Sequence, residues 1–461
     1  MPPPEFRRAA EEITAWIADY LENPGRYPVL PDTQPGGLSA SLPGAAPAHG
    51  EPMEGILADF RQQILPACTL WNHPRFFAYF SVSSSGPGIL AEMLTATLNM
   101  NGMLWKSSPA VTELEQVTLG WLREWLGLPP SFFGIIHDTA SLATMHAIVA
   151  ARQHTDPEVR TRGARPDMTI YTSEHAHSSV EKGALALGIG QENVRKIATD
   201  DEFRMKPAEL ARAVEQDRAA GRRPFCVVAT VGTTSTSSID PVGPIADICE
   251  GEGMWLHVDG AYGGHAGLVP GHRHVMENVS RADSFVINPH KWLFTPIDLS
   301  AFYTRRPEAL REALSLVPEY LRSSEDTVNY MDYSVALGRR FRALKLWFVM
   351  RYFGRERIAG MIGTHMRMAK ELASRIGEDG RFELCAPVPL SLVCFRLRGP
   401  DEASRQLLER LHATREAFLS HTVLKGRFVL RWAIGNIHTR QSDIDATWDL
   451  ISRLADEVQA P

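Results

Sequence analysis

A chain of 461 residues, 44% hydrophobic and 22% charged, has the apolar mass for a large core, or for a core with a smaller satellite domain. A formal net charge of -6 gives no reason to expect nucleic acid or an anionic membrane as a partner. Five cysteines without a CxxC pair argue against a disulfide framework or zinc ribbon, and fit a reducing, cytoplasmic setting. Met1–Arg8 has no signal-peptide h-region, and no run of about 18 apolar residues predicts a transmembrane helix.

Residues 5–22 repeat Phe6, Ile13, Trp16, Ile17 and Tyr20 at helical spacing, which predicts an amphipathic helix. Proline- and glycine-rich extended chain follows from Asn23 to about Pro52. A lone helix on such an arm needs a surface to cover its apolar face, and a second subunit is the expected one. From about 130 to 305, short apolar runs alternate with helical stretches. The runs are 134–136, 168–171, 225–231, 255–258, 284–287 and 300–303; the helices are 141–153, 178–188, 207–220 and 243–251. This alternation predicts a mainly parallel sheet covered by helices, with ligands beyond the C-terminal ends of its strands. A long helix is expected over 335–353, then a smaller α+β domain with strands at 390–397 and 428–433 and helices near 402–412 and 442–457. The expected divisions are an arm (1–84), a large α/β domain (85–355) and a small C-terminal domain (356–461).

The residues that carry chemistry stand just after the apolar runs. Asn288-Pro289-His290-Lys291-Trp292 follows Phe285-Val286-Ile287. A lysine there is desolvated, which lowers its pKa and suits it to Schiff-base chemistry; a lysine snorkelling at a strand end is the plain alternative. Asp259 closes the run Trp255–Val258. A buried carboxylate needs a cationic or donor partner, and a protonated pyridine nitrogen supplies one, although a loop or cap aspartate reads the same way. Asp259 and Lys291 are one βαβ unit apart, which brings both to the same sheet edge. Asp138-Thr139-Ala140-Ser141 opens a helix after 134–136, a place where backbone N–H groups hold phosphate or simply receive an N-cap. No GxGxxG or Walker motif points to a nucleotide.

His177, in His175-Ala176-His177, is suited to stacking on a planar ring or moving protons; no carboxylate or cysteine completes a zinc set. The polar stretch Leu321–Ser334 reads as a lid or a plain exposed loop, with Tyr330 a possible proton donor. Residues 71–80 hold five aromatics, among them Trp71, Tyr79 and Phe80, fit to line a flat pocket or to staple a core.

Together these segments resemble the group II decarboxylases that use pyridoxal 5'-phosphate (PLP), and most of all the aromatic-L-amino-acid decarboxylases. The resemblance runs through His73-Pro74, Phe76–Phe80, Ser108-Pro109-Ala110, Ala176–Glu181, Gly232-Thr233-Thr234, Leu256–Asp259, Asn288–Trp292 and Leu337–Arg342. It implies PLP fold type I (aspartate aminotransferase-like), an aromatic L-amino acid as substrate, and a homodimer wrapped by the N-terminal segment.

By position, Lys291 resembles the cofactor lysine, Asp259 the partner of the pyridine nitrogen, and His177 the histidine on the ring. Ala140, Ser141, Asn288 and His290 match positions around the phosphate, with Thr139, Thr234 and Ala261 nearby. Counting back from Leu337-Gly338-Arg339-Arg340 aligns Tyr330 with the loop tyrosine that protonates the product carbon. Substrate contacts are expected from Trp71, Tyr79, Phe80, Val82 and His177.

Three departures bear on this reading. Asp138 stands where a glycine is usual, Ser81-Val82 replaces a Pro-Thr pair, and Met103-Leu104 replaces an aromatic-led pair. The first must point away from a phosphate to be tolerated; the others leave the choice of amino acid open. Alternative activities are an aromatic aldehyde synthase, which the resemblance associates with phenylalanine at the tyrosine position, and a catalytically silent binding protein. The aromatic segment 71–80 disfavours a glutamate decarboxylase.

Overall fold

The computed structural model describes residues 1–316 and 327–459. The chain forms two compact units: residues 82–378 with 384–395, and residues 1–81 with 379–383 and 396 onward.

The larger unit is built on seven strands: β1 (Phe133–His137), β2 (Met168–Ser173), β3 (Val194–Ile197), β4 (Arg223–Thr230), β5 (Trp255–Asp259), β6 (Ser284–Ile287) and β7 (Ser300–Thr304). Their order is β1-β7-β6-β5-β4-β2-β3. β2, β3, β4, β5 and β6 pair in parallel, whereas β7 runs antiparallel to both β1 and β6. β7 thus starts at the edge where the parallel strands end, so the mainly parallel expectation holds with one reversed strand. The central strands β4 and β5 are buried almost throughout, which is why they read as continuous apolar runs rather than alternating ones.

The helix Ala140–Thr155 has Thr139 as its N-cap, whose Oγ1 accepts from the Leu142 N–H at 3.5 Å. Its Ala143, Ala147, Ile148 and Ala151 pack with Ile170, Val228 and Val286 of the sheet in one core. Gly232, just past β4, has φ +90°, and a Cβ there would lie 2.8 Å from the Gly263 backbone, so the chain tolerates no side chain at this turn. The expected helix over 335–353 begins instead at Ala343 and continues to Glu378 across a break at Gly354, whose φ of 67° is non-helical.

The smaller unit holds the helix Pro3–Glu22, which buries none of its residues, and the chain has a second, four-stranded sheet. The sheet has the order β10-β11-β9-β8, from β8 (Phe382–Leu384), β9 (Leu392–Leu397), β10 (Ser420–Leu424) and β11 (Arg427–Ala433). The N-terminal segment enters this unit through backbone bonds: Val29 N–H to Arg415 O, Phe77 N–H to Phe418 O, and Ala433 N–H to Phe77 O. Among the described residues, no helix is long and apolar enough to cross a membrane.

Candidate cofactor and active site

β5 and β6 lie side by side, with Asp259 opposite Val286. Beyond the ladder the two chains stay joined, as Gly260 N–H donates to Val286 O (2.9 Å) and Asn288 N–H to Ala261 O (3.2 Å). Asp259 is buried at 6% exposure, and its Oδ1 accepts the Ala261 N–H at 3.0 Å. Lys291 sits on the single helical turn Pro289–Trp292 and is partly buried. Desolvation lowers its pKa from the usual lysine value, and the Asp259 charge pulls it partly back.

His177 follows β2 and precedes the helix Ser179–Ala186. Its Nδ1 accepts from the Ser179 N–H at 3.2 Å, so the neutral ring carries its proton on Nε2. Burial lowers its pKa, Asp259 raises it and Lys291 lowers it, so the three side chains share one electrostatic neighbourhood.

A second cluster lies beside the lysine turn. Ser300 Oγ donates to Asn288 Oδ1 at 2.7 Å, which turns the Asn288 amide nitrogen toward His290. The Leu299 N–H donates to His290 Nδ1 at 3.0 Å, which puts the imidazole proton on Nε2. The two donors, Asn288 Nδ2 and His290 Nε2, therefore stand 3.4 Å apart with no acceptor between them. Both residues are buried, and desolvation together with the Lys291 charge holds His290 down to about 3, hence neutral. An anionic oxygen would complete this pair of donors. Ser300, which orients them, escaped the sequence reading because a hydroxyl at the start of a strand carries no motif; only the antiparallel course of β7 brings it to Asn288.

At the helix start, Asp138 Oδ1 accepts the Thr139 N–H at 3.1 Å, which uses the carboxylate locally. Thr139 Oγ1 serves Leu142, and the Ala140 and Ser141 N–H groups lie at the open, positive end of the helix. Ser141 is exposed, as is Thr234 on the loop after β4. That loop is folded by its own hydroxyls, with Thr233 Oγ1 to Thr236 Oγ1 at 2.9 Å and Thr236 Oγ1 to Ser238 Oγ at 2.8 Å.

Tyr330 opens a short turn of the larger unit. It is 1% exposed in the core of the larger unit, with its hydroxyl unpartnered and the Arg339 guanidinium 4.7 Å from its ring centroid. Its charged neighbours are Glu115 and Arg339, not Lys291, Asp259 or His177. Burial raises its pKa well above the usual tyrosine value. Of the expected lid over 321–334, residues 321–326 lie outside the described residues; Tyr330–Tyr333 forms a short 3-10 turn.

Trp71, Tyr79 and Phe80 belong to the smaller unit, while Val82 begins the larger. Trp71 stacks on Phe76 (4.3 Å) and Tyr79 (5.7 Å), and Phe80 lies under Arg431. The segment is a core staple through Phe76 and Phe77, and it leaves Trp71 and Tyr79 exposed.

Residues 35–398 match the family described as the pyridoxal-dependent decarboxylase conserved domain. The aromatic-L-amino-acid decarboxylase of Rattus norvegicus is 40% identical over 98% of each chain. The phenylacetaldehyde synthase of Petunia hybrida is 38% identical over 97% of this chain and 94% of its own. The crystal structure of Oryza sativa TDC with PLP and tryptamine superposes with a TM-score of 0.96, at 35% identity, over 100% of this chain and 99% of that one. The α/β architecture is accordingly that of PLP fold type I. With so long a match and such identity, the chain belongs to the pyridoxal-dependent decarboxylase family.

Proposed function

We propose that this chain uses PLP to decarboxylate aromatic L-amino acids, releasing the arylalkylamine and carbon dioxide. The observation that carries the proposal is the joint placement of Lys291, Asp259 and His177 at one sheet edge, beside the acceptor-less donors of Asn288 and His290. The residues fit the group: a depressed amine for an aldehyde, a buried carboxylate for a ring nitrogen, and two N–H donors with a helix start for a phosphate.

Bound PLP supplies an electron sink for the pair left behind by the departing carboxylate. Lys291 Nζ would supply the amine that holds the aldehyde of the cofactor. The Asp259 carboxylate holds a proton on the ring nitrogen, in a site dry enough to strengthen that bond. Ala140, Ser141, Asn288 and His290 would hold the phosphate end, with Thr139 and Thr234 nearby. His177 would lie against the ring and would assist Tyr330, acting from a neighbouring copy of the chain, in returning a proton to the product carbon. The resemblance alone assigns Trp71, Tyr79, Phe80 and Val82 to the aromatic side chain of the substrate.

The N-terminal segment is read as a dimer arm, because Phe6 (62% exposed) and Ile13 (36%) leave the helix Pro3–Glu22 an apolar face that a second copy covers. A cytoplasmic location accords with five cysteines, none of them in a disulfide among the described residues. The test is incubation of the PLP-loaded protein with a panel of L-amino acids, reading amine and carbon dioxide. Amine from tryptophan, tyrosine or dopa supports the reading; turnover of glutamate alone overturns the aromatic assignment.

A second reading, an aldehyde synthase, is favoured by the similarity to the Petunia enzyme. Tyr330 argues against it, because the resemblance associates a phenylalanine at that position with that activity. Ammonia and hydrogen peroxide formed in step with carbon dioxide would establish the second reading.

A further inference from the structure

Trp292, next in the chain to Lys291, is fully buried and touches two further buried side chains. Tyr262 stacks on it at 4.4 Å between centroids and 9° between planes. His365 lies in the plane of the indole, at 5°, and its Nδ1 accepts the Trp292 Nε1–H at 3.0 Å. That bond fixes the His365 tautomer, with the proton on Nε2. The Tyr262 hydroxyl is in turn tied to Ser391 Oγ at 2.5 Å. One indole therefore joins two turns: Tyr262 follows the β5 end that carries Asp259, and Trp292 shares the β6 turn with Lys291.

The helix Pro289–Trp292 is four residues long and has no side-chain cap. A turn so short does not hold its own orientation; packing must supply it. Successive residues on a helix point about 100° apart, so an anchored indole at 292 sets the direction of the lysine at 291.

We propose that His365 is a positioning residue for the reaction. By holding the Trp292 indole it fixes how Lys291 is presented beside Asp259. The proposal rests on Lys291 as the PLP lysine.

The test uses the full-length, PLP-loaded protein. Two quantities are read: the pH midpoint at which its visible absorbance changes, and kcat and KM separately. His365→Phe keeps a ring but leaves the indole N–H unpaired. It should move the midpoint and lower kcat about 5- to 100-fold, with KM little changed. His365→Gln, whose amide oxygen accepts the same bond, should restore both. In a Trp292→Phe background, His365→Phe should add nothing further.

An unmoved midpoint with unchanged kcat overturns the proposal, as does an effect that persists undiminished in the Trp292→Phe background. If His365→Phe does not fold, Trp292→Phe alone decides: it removes the N–H donor along with part of the indole, and a wild-type midpoint in it overturns the proposal. Borohydride reduction of the wild type followed by peptide mapping separates the two levels. An unmodified Lys291 overturns the underlying PLP assignment, whereas a modified Lys291 with unmoved variants overturns the positioning role alone.

Discussion

Asn288→Ala tests the phosphate end of the site most directly. Asn288 Nδ2 and His290 Nε2 are two buried donors 3.4 Å apart, and the substitution removes one of them. A hydrogen bond from a buried donor to a charged acceptor contributes about 1.5–3 kcal/mol, which corresponds to about a 10- to 150-fold change in affinity. The substitution also strips Ser300 of its acceptor, a disturbance felt whatever the ligand. Comparing PLP with pyridoxal, which lacks the phosphate, cancels that disturbance. Equilibrium dialysis should therefore show Kd for PLP rising about 10- to 150-fold more than Kd for pyridoxal. Equal losses for both ligands would refute a phosphate at these donors and move it away from Asn288.

Lys291→Ala should abolish turnover and the borohydride-fixed pyridoxyl label; retained turnover by absorbance or carbon dioxide release would remove the lysine from the reaction. Tyr330→Phe should slow amine formation and divert part of the product to aldehyde; amine formed at the wild-type rate with no aldehyde would remove Tyr330 from the reaction. Glu115→Ala should cost about 3–5 kcal/mol, since it leaves the buried Arg339 guanidinium without the carboxylate that meets it at 2.6 Å; an unshifted denaturation midpoint would show that the pair is dispensable.

Acid should unfold the protein early. Burial lowers His257 to about 4, while the unfolded chain takes up its proton near 6.5. The unfolded state therefore binds more protons between those values, and stability from this group is present above 6.5 and lost as pH falls toward 4, by about 3 kcal/mol in all. Denaturant melts from pH 7 to 5 should show His257→Gln with a shallower fall than the wild type; parallel curves would refute the assignment.

Strands whose burial is complete were legible from composition: β4 and β5 announce themselves as Phe225–Val228 and Trp255–Val258. β3 was not, because Val194-Arg195-Lys196-Ile197 is an edge strand with two cations at its centre, Arg195 paired with Asp217 and Lys196 with Glu181. The reversal of β7 was equally hidden, since direction is a property of pairing and not of local pattern. Lys291 and Asp259 were legible because each closes an apolar run. The burial of Tyr330 was not legible, because Asn329, Met331 and Asp332 are pinned by contacts to Trp105, Met103 and Ser315 that no spacing reveals. His365 left no signal, being a single histidine on a long helix.

The way Val29 and Phe77 reach Arg415, Phe418 and Ala433 has a consequence for synthesis. The first 81 residues leave the ribosome long before the segment that completes their unit, whereas every residue of the larger unit has been made by position 395. The site-bearing sheet can thus form during translation, while Phe76 and Phe77 wait with their apolar rings uncovered until the last strands arrive. The interval before those strands emerge, rather than any step at the Lys291 site, is then when a nascent chain is most exposed to aggregation.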